Sequence, residues 1–398
     1  MIPRHALATV QRLARWYPAV AITGPRQAGK TTLARLAFPK KPYANLEDPD
    51  QREFASSDGK GFLAQFPDGA ILDEVQRVPE LFSWLQSRLH GDRRRGVFVL
   101  TGSYQFGLRR GISQTLAGRV GHVHLLPLSA PELEQARLLP GGLETMLQTG
   151  FYPPVYDRRI PAAVWYADYV ATYVERDLLA LIRVRERSTF QRFLRMCAAR
   201  TAQLLNLSAL AADCGITHNT AKSWLSVLEA SYVVTLLTPW HRNLGKRLIK
   251  TPKLYFLDAG LAAWLAGIRR TEDLALGPMR GALFETWVLS EFVKYACDHA
   301  LPAQIHFWRD AHGNEVDLLV EGGTSASFAV ECKAGRTVAG DWFAPLAKFC
   351  VQARCAGAGI VYGGHRDQPR RGIPVYGWRS LPALLGRCFE TAAPARGA

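Results

Sequence analysis

Up to about Leu128, short apolar runs alternate with segments whose apolar residues recur every three or four positions. The runs are Ala19 to Gly24, Tyr43 to Glu47, Ala70 to Asp73, Val97 to Thr101 and His122 to Leu126, and their lengths suit buried strands. Between them, segments such as KTTLARLA (Lys30 to Ala37) carry the helical period. This alternation predicts an α/β core over residues 1–128, a parallel sheet of five strands covered by helices on both faces.

Beyond that core the pattern changes. A proline-rich junction, LPLSAPELE (Leu126 to Glu134), and the Gly/Pro patches LPGG and TGFYPPV precede a long helical pattern between Pro161 and Arg187. Residues 129–187 therefore read as a helical lid or connector, with Trp165, Tyr166, Tyr169 and Tyr173 at core spacing. Residues 188–268 read as a winged helix. There Ser208 caps one short helix, Gly215 makes a tight turn, and Thr217 caps a second helix running to about Glu229. A strand-like SYVVTLLTPW and a basic hairpin with Arg242, Lys246, Arg247, Lys250 and Lys253 follow. The second helix projects His218, Asn219, Lys222 and Ser223 outward, a polar set of the kind that reaches phosphates or base edges. Helix-turn-helix units also dock proteins, and a charge run also makes a solvated face, so the pattern alone leaves the partner open. Residues 269–398 form a last α/β segment.

Composition narrows the classes. The chain has 398 residues, 48% hydrophobic, with a net charge of +15 and an isoelectric point near 9.7. That excess of Lys and Arg favours a polyanionic partner, DNA foremost. Seven cysteines without a C-x-x-C pair point to a reducing cytoplasm and away from a disulfide or zinc framework. Arg12, Arg15 and Pro18 break the N-terminal segment as a signal peptide, and no apolar run approaches the ~20 residues of a membrane span.

Two constellations carry chemistry. The first is GPRQAGKTT, Gly24 to Thr32, a G-x-x-x-x-G-K-[ST] phosphate loop placed between a strand and a helix. The loop Gly24, Pro25, Arg26, Gln27, Ala28 and Gly29 would cradle phosphates with its backbone amides, Pro25 shaping the turn without an N–H; Lys30 would reach the β and γ phosphates, Thr31 would ligate Mg²⁺, and Thr32 would add to the nucleotide-binding set. Its second half is AILDEVQ (Ala70 to Gln76), where Asp73 would hold the metal through water and Glu74 would polarise the attacking water. Thr101 and Ser103, ending GVFVLTGS, are placed to sense the γ-phosphate. The implied cofactors are ATP and Mg²⁺. Rings of such ATPases complete the site with an arginine from a neighbouring subunit; Arg119 in LAGRV is the first candidate, with Arg109, Arg110 and Arg176 behind it.

The second constellation lies in WRDAHGNEVDLLVE (308–321) and FAVECKAG (328–335), read as adjacent strands. Strand alternation puts Glu331 and Lys333 on one face, and Asp317 with Glu315 opposite Val316, Leu318 and Val320. Asp317 and Glu331 could bind Mg²⁺ beside Lys333, with Glu285 on the helix of GALFETWVLSEF as a further ligand.

In order, the phosphate loop, LDEVQ, LTGS, LAGR, YVERD, HRNLGKRL, LYFLDAGL, FE, EVD and ECKAG span nearly the whole chain. Together they resemble a prokaryotic family of AAA-type ATPases with a winged-helix middle and a C-terminal restriction-endonuclease-like domain of the PD-(D/E)xK type. The resemblance implies that Asp317, Glu331 and Lys333 fall on the nuclease motif and Glu285 on a helix carboxylate of the junction-resolvase branch. Val316 departs from it by replacing the motif's proline. The resulting expectation is a homo-oligomeric, ring-forming ATPase that binds or remodels duplex or branched DNA, with metal-dependent cleavage as a further activity. The competing expectation is an ATP-gated regulatory module that contacts protein or DNA without cutting.

Overall fold

All five apolar runs become strands of one sheet: β1 (Ala19–Thr23), β2 (Tyr43–Asn45), β3 (Ile71–Asp73), β4 (Phe98–Gly102) and β5 (Val120–His124). The computed structural model describes residues 2–103, 116–177, 187–240, 251–302, 304–310, 312–321 and 327–392. The strand order is β2-β3-β4-β1-β5, with every neighbouring pair parallel. Val20, Ile22, Ile71, Val99 and Val123 pack against helices α1 (Ala6–Trp16) and α2 (Lys30–Ala37) through Val10, Leu13, Leu33 and Ala34. Ala19, Ala21, Leu72, Phe98 and Leu100 face the other way, onto Phe62, Phe82 and Leu85. Each large apolar side chain removed from water contributes ~1.5–3 kcal/mol, so both faces hold the sheet flat against its helices.

Strand β5 starts at Val120, two residues before the apolar run suggested. Gly121 is the reason: a Cβ there would sit 2.9 Å from Tyr17 and 3.0 Å from Leu13, so the absent side chain lets the strand slide under α1. Gly24 is equally constrained, because a Cβ would lie 1.9 Å from the carbonyl oxygen of Leu125. Gly24→Ala is expected to destabilise the chain by ~1–3 kcal/mol through overpacking, read as a lowered denaturant midpoint. An unchanged midpoint would mean the loop and Leu125 separate freely.

The helical pattern after Pro161 divides into α3 (Ala162–Tyr169) and a π-helical stretch over Val170–Asp177. Trp165, Tyr166, Tyr169 and Tyr173 are buried, as their spacing predicts. The helix-turn-helix pattern is present as α4 (Leu207–Cys214) and α5 (His218–Ala230), with Gly215 at φ 69° and Thr217 accepting from the Thr220 amide. The cap of α4 is Asn206, which accepts from the Ala209 amide at 2.9 Å, in place of Ser208. A carboxamide one residue ahead of the first turn intercepts that amide before a serine already inside the helix can. A three-stranded antiparallel sheet in the order β6-β8-β7 accompanies the pair, formed by β6 (Gln203–Leu204), β7 (Val234–Leu237) and β8 (Lys253–Phe256).

The C-terminal segment builds a six-stranded mixed sheet from β9 (Gln304–Arg309), β10 (Glu315–Glu321), β11 (Ser327–Lys333), β12 (Gly357–Tyr362), β13 (Gln368–Arg370) and β14 (Ile373–Gly377), in the order β13-β14-β12-β11-β10-β9. Strand β10 runs antiparallel to both of its neighbours, β9 and β11, whereas β11, β12 and β14 are parallel. Helices α6 (Arg280–His299) and α8 (Leu381–Ala392) cover one face and α7 (Phe343–Ala353) the other. The β9–β10 register shifts between Val316 and Leu319. Strict alternation therefore fails here: Val316 joins Leu319 on the α7 side, while Leu318 and Val320 pack toward α6 and α8.

Candidate functional site

The strand order sets the nucleotide site. Strand β4 lies between β1, which leads into the phosphate loop, and β3, which ends in Asp73. Gly29 takes φ 94° at the head of α2, and no side chain caps that helix, which leaves its first-turn amides for a ligand's oxygens. Lys30 is buried, and its ammonium donates to the carbonyls of Gly24 at 3.1 Å and Pro25 at 2.8 Å. Burial lowers its pKa, against the pull of Glu74 and Asp73. The Thr31 hydroxyl donates to Asp73 at 2.8 Å, the Tyr43 hydroxyl to the same carboxylate oxygen at 2.6 Å, and Thr101 to the other oxygen. Glu74 adopts a left-handed backbone at φ 53° and accepts from Ser103 at 2.5 Å and from the Gln76 amide. A glutamate in that conformation, tied by two donors, is held at the strand tip rather than along the strand.

The rest of the loop is anchored from outside the core. Trp165 on α3 donates to the Gln27 side chain at 2.9 Å, and the Arg26 guanidinium lies 5.6 Å from the Tyr173 ring centroid. Arg4 donates to the Ala28 carbonyl at 2.6 Å and pairs with the buried Glu132 at 3.1 Å. Thr32 and Leu36 line one wall of a cleft of about 270 Å³ whose other wall includes Leu128 and Pro153. Behind the loop, the Thr23 hydroxyl lies 2.7 Å from both His124 Nδ1 and the Tyr232 hydroxyl. Arg4, Tyr43 and Tyr232 were not singled out in the sequence, since each meets the site only through tertiary contact.

Arg119 precedes β5, and its carbonyl accepts from the Ala19 amide at 3.2 Å. It thus stands at the opposite end of β1 from the phosphate loop, beside His90, and cannot reach its own chain's phosphates. Arg109 and Arg110 lie outside the described residues, as do the side chain of Arg176 and the expected DNA contacts Arg242, Lys246, Arg247 and Lys250. His218, Asn219, Lys222 and Ser223 are exposed on one face of α5.

In the C-terminal unit, carboxylate oxygens of Glu285, Glu315 and Asp317 lie within 4.8 Å of one another. In the sequence Lys253 belongs to a basic hairpin pattern. It is instead buried in this cluster, donating to Glu285 at 2.8 Å and pairing with Glu315. Tyr255, two residues on and therefore on the same strand face, donates to Glu285 at 2.5 Å; that spacing inside the run KLYF was the available sequence clue. Asp317 accepts from the Cys332 amide at 2.8 Å, Arg309 pairs with Glu315 at 2.9 Å, and Lys333 pairs with Glu331 at 2.6 Å. Burial, then the charge of Asp317, pushes Glu285 up to about 7 and Glu331 up to about 8. Burial alone would depress Lys253, but Glu285, Asp317 and Glu315 together hold it above its ordinary range. A divalent ion does not fit this arrangement as it stands: the buried Lys253 ammonium already pairs with Glu285 and Glu315, and its positive charge repels a second cation there.

A family model described as an AAA domain matches residues 17–134, and models described as domains of unknown function match residues 141–272 (DUF8612) and 280–381 (DUF4143). The uncharacterized protein Rv2008c of Mycobacterium tuberculosis is 31% identical over 371 residues, which cover 92% of this chain and 81% of that protein. Mb2031c of Mycobacterium bovis matches to the same extent. Among solved structures, the Walker-type ATPase PABY2304 of Pyrococcus abyssi aligns with a TM-score of 0.40 at 15% identity, over 67% of this chain and 96% of that one. AMPPCP-bound DnaA from Aquifex aeolicus aligns with a TM-score of 0.29 at 16% identity, over 56% and 85%. Among the described residues no helix is long and apolar enough to cross a membrane. At 31% identity over 92% of its length the chain belongs to the family of these mycobacterial proteins, and its N-terminal unit, where the AAA match spans the glycine loop and Asp73, is an AAA-type domain with an ATP-binding fold.

Proposed function

We propose that the protein hydrolyses ATP in its AAA-type unit and uses the cycle to change how a winged helix-turn-helix unit holds DNA. The observation that carries the reading is the chain of contacts Thr31–Asp73–Thr101 and Glu74–Ser103, which joins the first turn of α2 to the tips of the adjacent strands β3 and β4. These are the groups that hydrolysis of a γ-phosphate requires, in one place. Lys30 would balance charge on the β and γ phosphates, and the helix N-terminus would receive their oxygens. The hard oxygen donors of Thr31 and Asp73, 2.8 Å apart, suit Mg²⁺. Bound there, the ion would draw charge from the phosphate oxygens. Glu74 would take a proton from the attacking water as the bond between the γ-phosphorus and the bridging oxygen breaks and ADP leaves. The cleft beside Thr32 and Leu36 is of the size and apolarity for the base.

Coupling to DNA is supported by Thr23 and Tyr232. Thr23 directly precedes Gly24, and Tyr232 lies two residues past the end of α5, so their 2.7 Å contact joins the phosphate loop to the exposed helix. Arg119, at the far sheet edge, suits a role toward a neighbouring subunit in a homo-oligomeric ring. A second reading, docking of a protein partner, is favoured by one observation: the exposed face of α5 carries His218, Asn219, Lys222 and Ser223, with Lys222 its one lysine.

Duplex and branched DNA binding measured against salt separates the two. On the DNA reading, log affinity falls linearly with log salt by about 0.9 per phosphate contacted, and Lys222→Ala lowers that slope by about 1. A flat salt response, or a slope untouched by Lys222→Ala, would favour the protein partner.

A further inference from the structure

The C-terminal cluster brings three carboxylates together, with Glu331 as a charged neighbour, yet the chain itself supplies their partners. Glu285 receives Lys253 and Tyr255, Glu315 receives Lys253 and Arg309, Glu331 receives Lys333, and Asp317 receives the Cys332 amide. Of the cations, Lys253 differs in origin and burial. It comes from β8, a strand of the sheet beside the helix-turn-helix, and its side chain is 3% exposed, against 33% for Lys333 and 36% for Arg309. Its ammonium lies 5.5 Å from the Phe307 ring centroid and 6.0 Å from that of Tyr255. An ammonium that deep is stable only where carboxylates surround it.

We propose that Lys253 is the resident cation of the Glu285–Glu315–Asp317 cluster, so that the C-terminal unit takes up a divalent ion only when this ammonium is withdrawn from it. The site is then an ionic latch in which a residue of the middle sheet stands in the position of a metal. Removing one positive charge while keeping three nearby carboxylates leaves a cluster of hard oxygen donors, the ligand type that Mg²⁺ and Mn²⁺ prefer. Metal competence of the C-terminal unit is thereby tied to the placement of β8, which shares its sheet with β7 and follows the helix-turn-helix in the chain. The inference does not depend on ATP hydrolysis or on DNA as the partner.

The test is Mn²⁺ binding to the full chain without nucleotide at about pH 8, where ordinary carboxylates are ionised, followed by the electron paramagnetic resonance signal of free Mn²⁺. Four proteins are compared: wild type, Asp317→Asn, Lys253→Met and Lys253→Met with Asp317→Asn. Any Mn²⁺ held at the phosphate loop is common to all four and cancels. Wild type and Asp317→Asn should bind equally. Lys253→Met should bind one further Mn²⁺ per chain than the wild type, and the added Asp317→Asn should abolish that gain. A wild type that loses one Mn²⁺ on Asp317→Asn would overturn the proposal, because metal and ammonium would then coexist. So would a folded Lys253→Met that gains none. If Lys253→Met fails to fold, the comparison of wild type with Asp317→Asn still decides whether the native cluster holds a metal.

Discussion

Lys30→Ala loses ATP turnover by about 10²- to 10³-fold or more while keeping its fold. The scale is that of removing one preorganised positive group from a developing charge in a dry site. The fold survives because the ammonium contributes only two hydrogen bonds, to the Gly24 and Pro25 carbonyls, and because burial already opposes its charge. Steady-state phosphate release and a thermal melt check both halves. Glu74→Gln provides the contrast: it keeps ATP binding and loses hydrolysis, since the amide preserves the hydrogen bond to Ser103 but cannot take a proton. Near-normal turnover in Lys30→Ala would remove the phosphate loop from the mechanism.

Lys253→Met destabilises the chain by ~3–5 kcal/mol, the cost of leaving a buried carboxylate without its counter-ion. Glu315 keeps Arg309, but Glu285 keeps only the Tyr255 hydroxyl. Adding Glu285→Gln to Lys253→Met recovers much of the loss, because a neutral amide no longer needs the ammonium. Denaturant unfolding of the two single variants and the double measures this coupling. Additive losses would show that Lys253 and Glu285 do not depend on one another.

The nucleotide half of the molecule was legible because its determinants are local. A strand, a glycine turn and a helix follow one another within twenty residues, and the acidic tip at Asp73 and Glu74 closes its own strand. Even the place of β4 between β1 and β3 was foreshadowed by Thr101 and Ser103 at the end of the fourth apolar run. Ser103 proved to hold Glu74, a finer role than the run could indicate. The C-terminal cluster was half legible. Glu285 and Asp317 meet as their motifs suggested, and Glu315 joins them from the same face of β10. The register shift at Val316 was hidden, because a bulge arises from pairing with β9 and leaves no period in the strand's own residues.

Taken alone, the amino-acid order determined a parallel α/β ATP-binding unit, its phosphate loop and the helix-turn-helix that follows, all products of short-range periodicity and glycine placement. Tertiary structure alone decided that Lys253 turns inward to three carboxylates, that Tyr232 reaches Thr23 behind the loop, and that Arg119 stands at the wrong end of β1 to serve its own chain. Those facts depend on which surfaces pack together over separations of tens to hundreds of residues. A lysine in a basic stretch reads as a solvent-facing charge until the fold surrounds it with acid.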